Sequence, residues 1–201
     1  PQVSRIRRIL KDMLKSTRWL AVALLVASAA VSEADAKREL GILNQKAPSW
    51  SVDQWLGLPD GKKALDVADF KGKVLYLYCF QSWCPGCHSH GFPTLQKAMK
   101  HFKGDEEVAF VAVQTVFEGF SSNTLKRAGE TAARYDLDIP IGHSGSAGQF
   151  SSLMRNYRTG GTPWTIIIDM QGVVRFNGFR IEAEDAIHVL AALKVFEGRA
   201  R

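Results

Sequence analysis

Two of the three cysteines in this chain of 201 residues stand in the run Trp83-Cys84-Pro85-Gly86-Cys87-His88. Two thiols at this spacing can meet across one helical turn, so they can close and reopen a disulfide, and the same pair can ligate a soft metal. The stretch before them, Val74 to Phe80, is short, apolar and rich in aromatic and branched residues, which reads as a buried β-strand. Beyond them, Leu95, Met99 and Phe102 recur at helical spacing until Gly104 ends the pattern. The pair is therefore expected at a corner where a strand gives way to a helix, with Cys84 at the helix N-terminus. Unpaired N–H groups and the helix dipole favour an anion there, and a thiolate is one. On this reading Cys84 attacks a partner disulfide and Cys87, one turn on, resolves the mixed disulfide. A purely structural disulfide is the plainer alternative, although a strand-to-helix corner needs no staple.

The elements that must hold this corner follow from the apolar patterning. Ala47 to Leu56 alternates large apolar with polar residues and reads as a strand with one wet face; Pro59-Asp60-Gly61 is a turn. Lys62 to Phe70 reads as a second extended piece, with Leu65, Val67 and Phe70 pointing inward. Val108 to Val116 is another buried strand, and strand, helix, strand at this spacing implies a right-handed parallel crossover. Glu118 to Ser122 is a loop, and Asn123 to Tyr135 a helix that Asn123 could cap. Ile139 to Gly142 is a short extended segment whose Pro140 suits a sheet edge. Phe150 to Tyr157 reads as a brief helix. After Gly160-Gly161-Thr162-Pro163 comes a strand, Trp164 to Asp169, then a turn at Gln171-Gly172 and an antiparallel return through Val173 to Phe176. Glu182 to Phe196 is an amphipathic helix.

Length and 46% apolar content allow one ordinary core and one domain. Residues 1–36 read as a secretory leader: six basic side chains from Arg5 to Arg18, an apolar run from Trp19 to Val31, and small residues up to Ala36, after which cleavage is expected. Met13 offers an alternative start. The apolar run is shorter than the roughly 20 residues that span a bilayer, so a retained membrane anchor is the second choice. Residues 37–46 read as a flexible lead-in and 47–201 as the domain. The leader holds six basic and three acidic side chains, which leaves 20 against 17 and a net charge of +3, so the basic pI owes much to it. No stripe of Lys and Arg interleaved with aromatics remains to bind nucleic acid. Export places the cysteines in an oxidising compartment, and three are too few for a scaffold stapled by disulfides; a redox or ligand role fits them better.

From Ala47 onward the chain resembles exported thioredoxin-fold thiol–disulfide oxidoreductases of the TlpA/ResA type, within the AhpC/TSA-like redoxins. The matching marks are Ala47-Pro48, Asp69-Phe70-Lys71-Gly72-Lys73, Trp83-Cys84-Pro85-Gly86-Cys87, and Gly161-Thr162-Pro163 before an Ile-rich strand ending in Asp169 and Gly172. The resemblance implies an α/β thioredoxin fold, a mixed central sheet flanked by helices, with an N-terminal strand extension. It also implies that Pro163 is cis and lies against the cysteine pair, that Thr162 offers backbone groups to an extended substrate, and that no cofactor is needed. The implied role is reductive, toward the thiols or disulfides of exported proteins in the periplasm or its equivalent, with electrons from a membrane-bound donor. Three departures stand out. Pro93 comes nine residues after Cys84 where relatives have eight, so the helix is expected to kink or bulge. Tyr78 occupies the place of thioredoxin's buried aspartate, which leaves the proton acceptor of Cys87 unassigned; Glu118 is one candidate, a solvated loop carboxylate the other reading. Pro85-Gly86 differs from thioredoxin's order, which leaves the reduction potential open.

The same residues admit other chemistry. Cys84-x-x-Cys87-His88 is the attachment motif of c-type haem, though a strand before it and a Thr-Pro strand after it do not suit a helical cytochrome. Cys84, Cys87, His88 and His90 could hold copper or zinc, but their spacing does not make a closed tetrahedral set; exposed helix positions are the simpler reading of both histidines. His101, His143 and His188 are isolated and read as structural or solvated. Cys79, within the central strand, reads as a buried, inert thiol. A thiol peroxidase shares the fold, but Leu77 and Gln81 stand where its proline and hydroxyl residue belong. Trp83 and Trp164 are expected to flank the pair, either as a platform for a partner or simply as core.

Overall fold

The computed structural model describes residues 40–198. The leader of residues 1–36, its cleavage point and the first residues of the lead-in lie outside them. A six-stranded mixed sheet is built from β1 (Gln54–Leu56), β2 (Val74–Phe80), β3 (Val108–Thr115), β4 (Ile141–Ser144), β5 (Trp164–Ile168) and β6 (Val174–Phe179), in the order β1-β4-β3-β2-β5-β6. Helices α1 (Phe92–His101), α2 (Leu125–Arg134), α3 (Ser152–Tyr157) and α4 (Ala183–Gly198) cover it. β2, β3 and β4 run parallel, while β1, β5 and β6 pair antiparallel. No described helix is long and apolar enough to cross a membrane.

β2 lies near the middle of the sheet with all seven residues buried. Its side chains alternate between two cores, as a period of two demands. Val74, Tyr76, Tyr78 and Phe80 pack with Phe92, Leu95, Ala98, Ala128 and Leu190, under α1, α2 and α4. Leu75, Leu77 and Cys79 face the other way, onto Trp50, Leu153, Tyr157 and Ile166. The cysteine motif therefore leaves β2 with both faces already filled and the strand direction fixed.

Several expectations are corrected. The strand read over Ala47 to Leu56 shrinks to three residues, and Trp50, ahead of it, is buried with its indole N–H donating 3.0 Å to the Tyr157 hydroxyl. The extended piece ending at Phe70 is instead a 3₁₀ turn, Val67–Phe70, imposed by a capping box: the Asp66 carboxylate accepts from Val67 N–H at 2.7 Å and that of Asp69 from Asp66 N–H at 2.8 Å. Pro140 does not mark an edge: it precedes β4, which lies inside β1. The lead-in is not loose where it is described. Ile42 is buried, and backbone bonds Asn44 N to Val174 O at 2.8 Å and Val174 N to Gln45 O at 2.9 Å lay residues 44–45 along the start of β6.

The turn between β5 and β6 is held by a buried carboxylate. Asp169 accepts from Gln171 N–H at 3.0 Å, Val173 N–H at 2.8 Å and Arg175 Nε at 2.6 Å. A buried charge needs such partners. With them the hairpin is fixed in register, and its other end delivers the Thr162-Pro163 loop to the cysteines.

Candidate active site

Beyond β2 the chain turns under a net of buried amides. Ser82 N–H donates to Asn123 Oδ1 at 2.9 Å and to Gln114 Oε1 at 3.1 Å, and Asn123 Nδ2 donates to Gln81 Oε1 at 2.9 Å. Asn123 is thus spent inward, and Thr124 caps α2 in its place, its hydroxyl accepting from Arg127 N–H at 3.2 Å. His88 closes the net from the helix side. Its Nε2 lies 2.8 Å from the Ser82 carbonyl, which can only accept, so Nε2 carries the proton and Nδ1 faces the Tyr135 hydroxyl at 2.8 Å. His90 is anchored similarly, 3.0 Å from the Ile181 carbonyl. Neither histidine is the exposed helix residue expected.

The helix begins directly after Cys84 and contains one wide turn, Cys87–Gly91, in which Phe92 N–H bonds back to the Cys87 carbonyl. That π turn takes up the extra residue between Cys84 and Pro93, the expected bulge. Gly86 permits a close approach: a Cβ there would sit 3.2 Å from Pro163 Cδ and 4.0 Å from Cys84 Sγ. The Thr162-Pro163 peptide is cis, and Cys84 Sγ lies 3.5 Å from the Thr162 carbonyl oxygen.

All three cysteines are free thiols. Cys84 is 7% exposed and Cys87 fully buried. The Cys87 thiol donates toward Cys84 Sγ, and this, with the Thr162 side chain and the N–H groups of Cys87 and Gly86, overcomes partial burial and lowers the Cys84 pKa to about 5. Cys87 N–H stands 3.2 Å from that sulfur. Burial, then the hydrogen bond to Cys84, push Cys87 strongly upward. At neutral pH the pair therefore holds a thiolate at Cys84 and a protonated thiol at the more deeply buried Cys87.

The family model described as Redoxin matches residues 43–189, most of the chain. The chain belongs to the Redoxin family. Among solved structures this Redoxin-family chain is similar to the thioredoxin-like superfamily protein SPOA0173, at 31% identity over 74% of this chain and 95% of that one, with a TM-score of 0.67. It is also similar to a thiol-disulfide isomerase from Corynebacterium glutamicum, at 26% identity over 73% and 96% of the two chains, TM-score 0.63. A secreted Mycobacterium tuberculosis disulfide oxidoreductase shares the fold, at 16% identity over 73% and 96%, TM-score 0.52. Among curated proteins none matches. The sheet is a thioredoxin fold, and the chain is a thioredoxin-like oxidoreductase.

Cys84, Cys87, Thr162 and Pro163 come together within one corner of this Redoxin-family domain. Trp83 joins them at the rim, 47% exposed. Trp164 does not: it is buried, its indole donating 2.6 Å to Asn177 Oδ1, so it backs the loop rather than facing a partner. Glu118 is exposed on the loop after β3, and among the described residues it hydrogen-bonds neither cysteine through its carboxylate. Unforeseen from sequence are Phe179, 54% exposed, and Arg180, whose guanidinium lies over the Phe179 ring at 5.6 Å and reaches toward Gly86. Only the fold brings them there. Cys79 is fully buried, and burial alone pushes its thiol up.

Proposed function

We propose that this chain is an exported thiol–disulfide oxidoreductase of the TlpA/ResA type, with a single domain over 47–201 behind a cleaved leader, working reductively on exported protein disulfides. Cys84 attacks as thiolate, Cys87 resolves, and the Thr162-Pro163 backbone with the Trp83 ring receives the substrate chain. The observation that carries the reading is the asymmetry of the pair. One sulfur is ionised near neutral pH in a residue that keeps 7% exposure, while the other is protonated, fully buried and adjacent. That is the arrangement in which a mixed disulfide forms at Cys84 and is then released from within. Reductive direction and a membrane-bound electron donor rest on the family resemblance and on the leader.

The haem and metal readings fit less well. Both ring nitrogens of His88 are engaged within the protein, and among the described residues no cluster of three or more His, Cys, Asp or Glu is arranged around a cation site. The peroxidase reading would need a proline at position 77 and a hydroxyl residue at position 81, where Leu77 and Gln81 stand, both buried.

The test is to express Cys87→Ser protein with its leader and recover disulfide-linked partners, together with the reduction potential of the wild-type pair. Exported proteins trapped through Cys84 and a potential below that of the compartment are expected. A potential well above it makes the protein an oxidant, and no trapped partner removes the assignment.

A further inference from the structure

Tyr76 and Tyr78 project from the same face of β2, yet their hydroxyls are treated differently. That of Tyr76 is 3.2 Å from Thr165 Oγ1. That of Tyr78 is buried with no hydrogen-bond partner among the described residues. Packing does not ask for it either. The Tyr78 ring stacks along Phe80 at 6.0 Å and meets Phe92 edge-on at 5.2 Å, and a phenylalanine would fill the place equally well. The hydroxyl instead lies against Gly91, in the turn of the helix that begins at Cys87, close to Pro163: a Cβ on Gly91 would fall 2.0 Å from Tyr78 Oη and 2.9 Å from Pro163 Cβ. Among the side chains that act on it, Cys87 acts most strongly.

We propose that the Tyr78 hydroxyl is the hydrogen-bond donor that steadies the Cys87 sulfur as it sheds its proton and attacks Cys84. The inference rests on the thiol–disulfide reading above. In the first step the Cys84 thiolate attacks a substrate disulfide. One substrate sulfur bonds to Cys84 Sγ and the other leaves as thiolate, taking a proton from water. Cys87 has then lost the anion to which its thiol was donating, since Cys84 Sγ is now part of a neutral disulfide. In the second step Cys87 gives up its proton, the Cys84–Cys87 bond forms, the bond from Cys84 to substrate breaks, and the departing substrate sulfur takes up a proton. The substrate disulfide has gained two electrons and the pair has lost them. During that step negative charge grows on a sulfur enclosed by apolar side chains, where an anion is costly unless a donor faces it. The groups that favour an anion at Cys87 are the Gln81 backbone and the Tyr78 hydroxyl. Tyr78 is not the base: burial holds its own pKa far above the ordinary tyrosine value, so it keeps its proton and donates. The titratable groups that act on Tyr78 are Cys87, Tyr76 and Cys84, and those facing the pair from the adjacent helix, His88 and His90, are tied to carbonyls.

The test follows the mixed disulfide directly. Reduced full-length protein is mixed with a peptide carrying one intramolecular disulfide, quenched in acid at intervals and weighed by mass spectrometry, across a range of pH. Wild-type protein passes through the peptide adduct briefly. Tyr78→Phe is expected to form the adduct at a similar rate but to lose it about tenfold to a hundredfold more slowly, with the pH midpoint of resolution moved upward. Equal resolution rates and an unmoved midpoint overturn the proposal. A fluorinated tyrosine at position 78, a stronger donor of nearly the same size, is expected to hasten resolution, and it keeps the question answerable if the phenylalanine variant folds poorly. Should wild-type protein form no adduct at all, the thiol–disulfide reading itself fails, and that result is distinct from the other two.

Discussion

Cys84 and Cys79 are both hidden from solvent, at 7% and 0% exposure, and lie five residues apart, yet their thiols are driven in opposite directions. Cys79 sits on the β2 face that meets Trp50 and Tyr157, where no donor reaches it, and desolvation acts alone. Cys84 sits just past the strand end, where the chain has turned and backbone N–H groups are free to point at a sulfur. Burial therefore does not decide whether a cysteine reacts. What decides it is whether donors reach the sulfur, and at Cys84 the Cys87 thiol does so first, followed by the Thr162 side chain and the N–H groups at the start of the helix.

The sharpest way to break this comparison is to exchange the two residues' roles by mutation. Cys84→Ser is expected to lower disulfide exchange with a model peptide by on the order of a thousandfold or more, and Cys79→Ala to change it less than about twofold. Comparable losses in both variants would mean that the buried thiol takes part. The second prediction concerns pH. Ultraviolet thiolate absorbance of reduced protein should rise with a midpoint near 5 from Cys84 and show no step from Cys79 below the denaturing range. The linked stability runs the same way. Between about 5 and the ordinary thiol value of 9.0 the unfolded chain holds a proton that folded Cys84 has lost, so the reduced protein gains stability as pH rises through that window. Cys79 has the opposite sign: above 9.0 only the unfolded thiol ionises, and stability falls. Chemical denaturation at several pH values checks both slopes.

A smaller effect is expected from the amide net beneath the corner. Asn123→Ala removes acceptor and donor bonds to Ser82 and Gln81 and should cost about 1–3 kcal/mol in urea unfolding, because buried partners are left unpaired. It should also raise the thiolate midpoint of Cys84 while leaving Cys79 silent; an unmoved midpoint would show that the donors around Cys84 do not depend on that net. The smallest effect belongs to the rim. Trp83→Ala should raise KM for protein substrates by about threefold to tenfold with little change in stability, as loss of one exposed aromatic contact does.

Much of this corner was legible in the residues. Val74 to Phe80 reads as a buried strand because it is apolar on both faces, and the one-residue offset of Pro93 from the spacing in the family it resembles implies a kinked or bulged helix. What stayed hidden was polar and long-range. Asp66 and Asp69 turn an apparently extended segment into 3₁₀ through bonds that hydrophobic periodicity does not register. His88 and His90 looked exposed because their carbonyl partners, Ser82 and Ile181, are set by how the chain folds back rather than by spacing along the helix. Trp164 was open to both readings, platform or core, and alternation on β5 with the side chain of Asn177 draws it into the core. Phe179 and Arg180 reach the rim only because β6 pairs with β5 in this register.

The wide turn from Cys87 to Gly91 separates two demands made on one rod. Upstream of it, the angular setting is dictated by where sulfur must stand; downstream, by where Phe92, Leu95 and Ala98 must lodge. A surplus residue acts as a phase adjuster between them, letting each end keep its own orientation. Excising Ser89 would restore an ordinary helical pitch and swing the reactive end by roughly 100°, the rotation of a single residue at about 3.6 per turn.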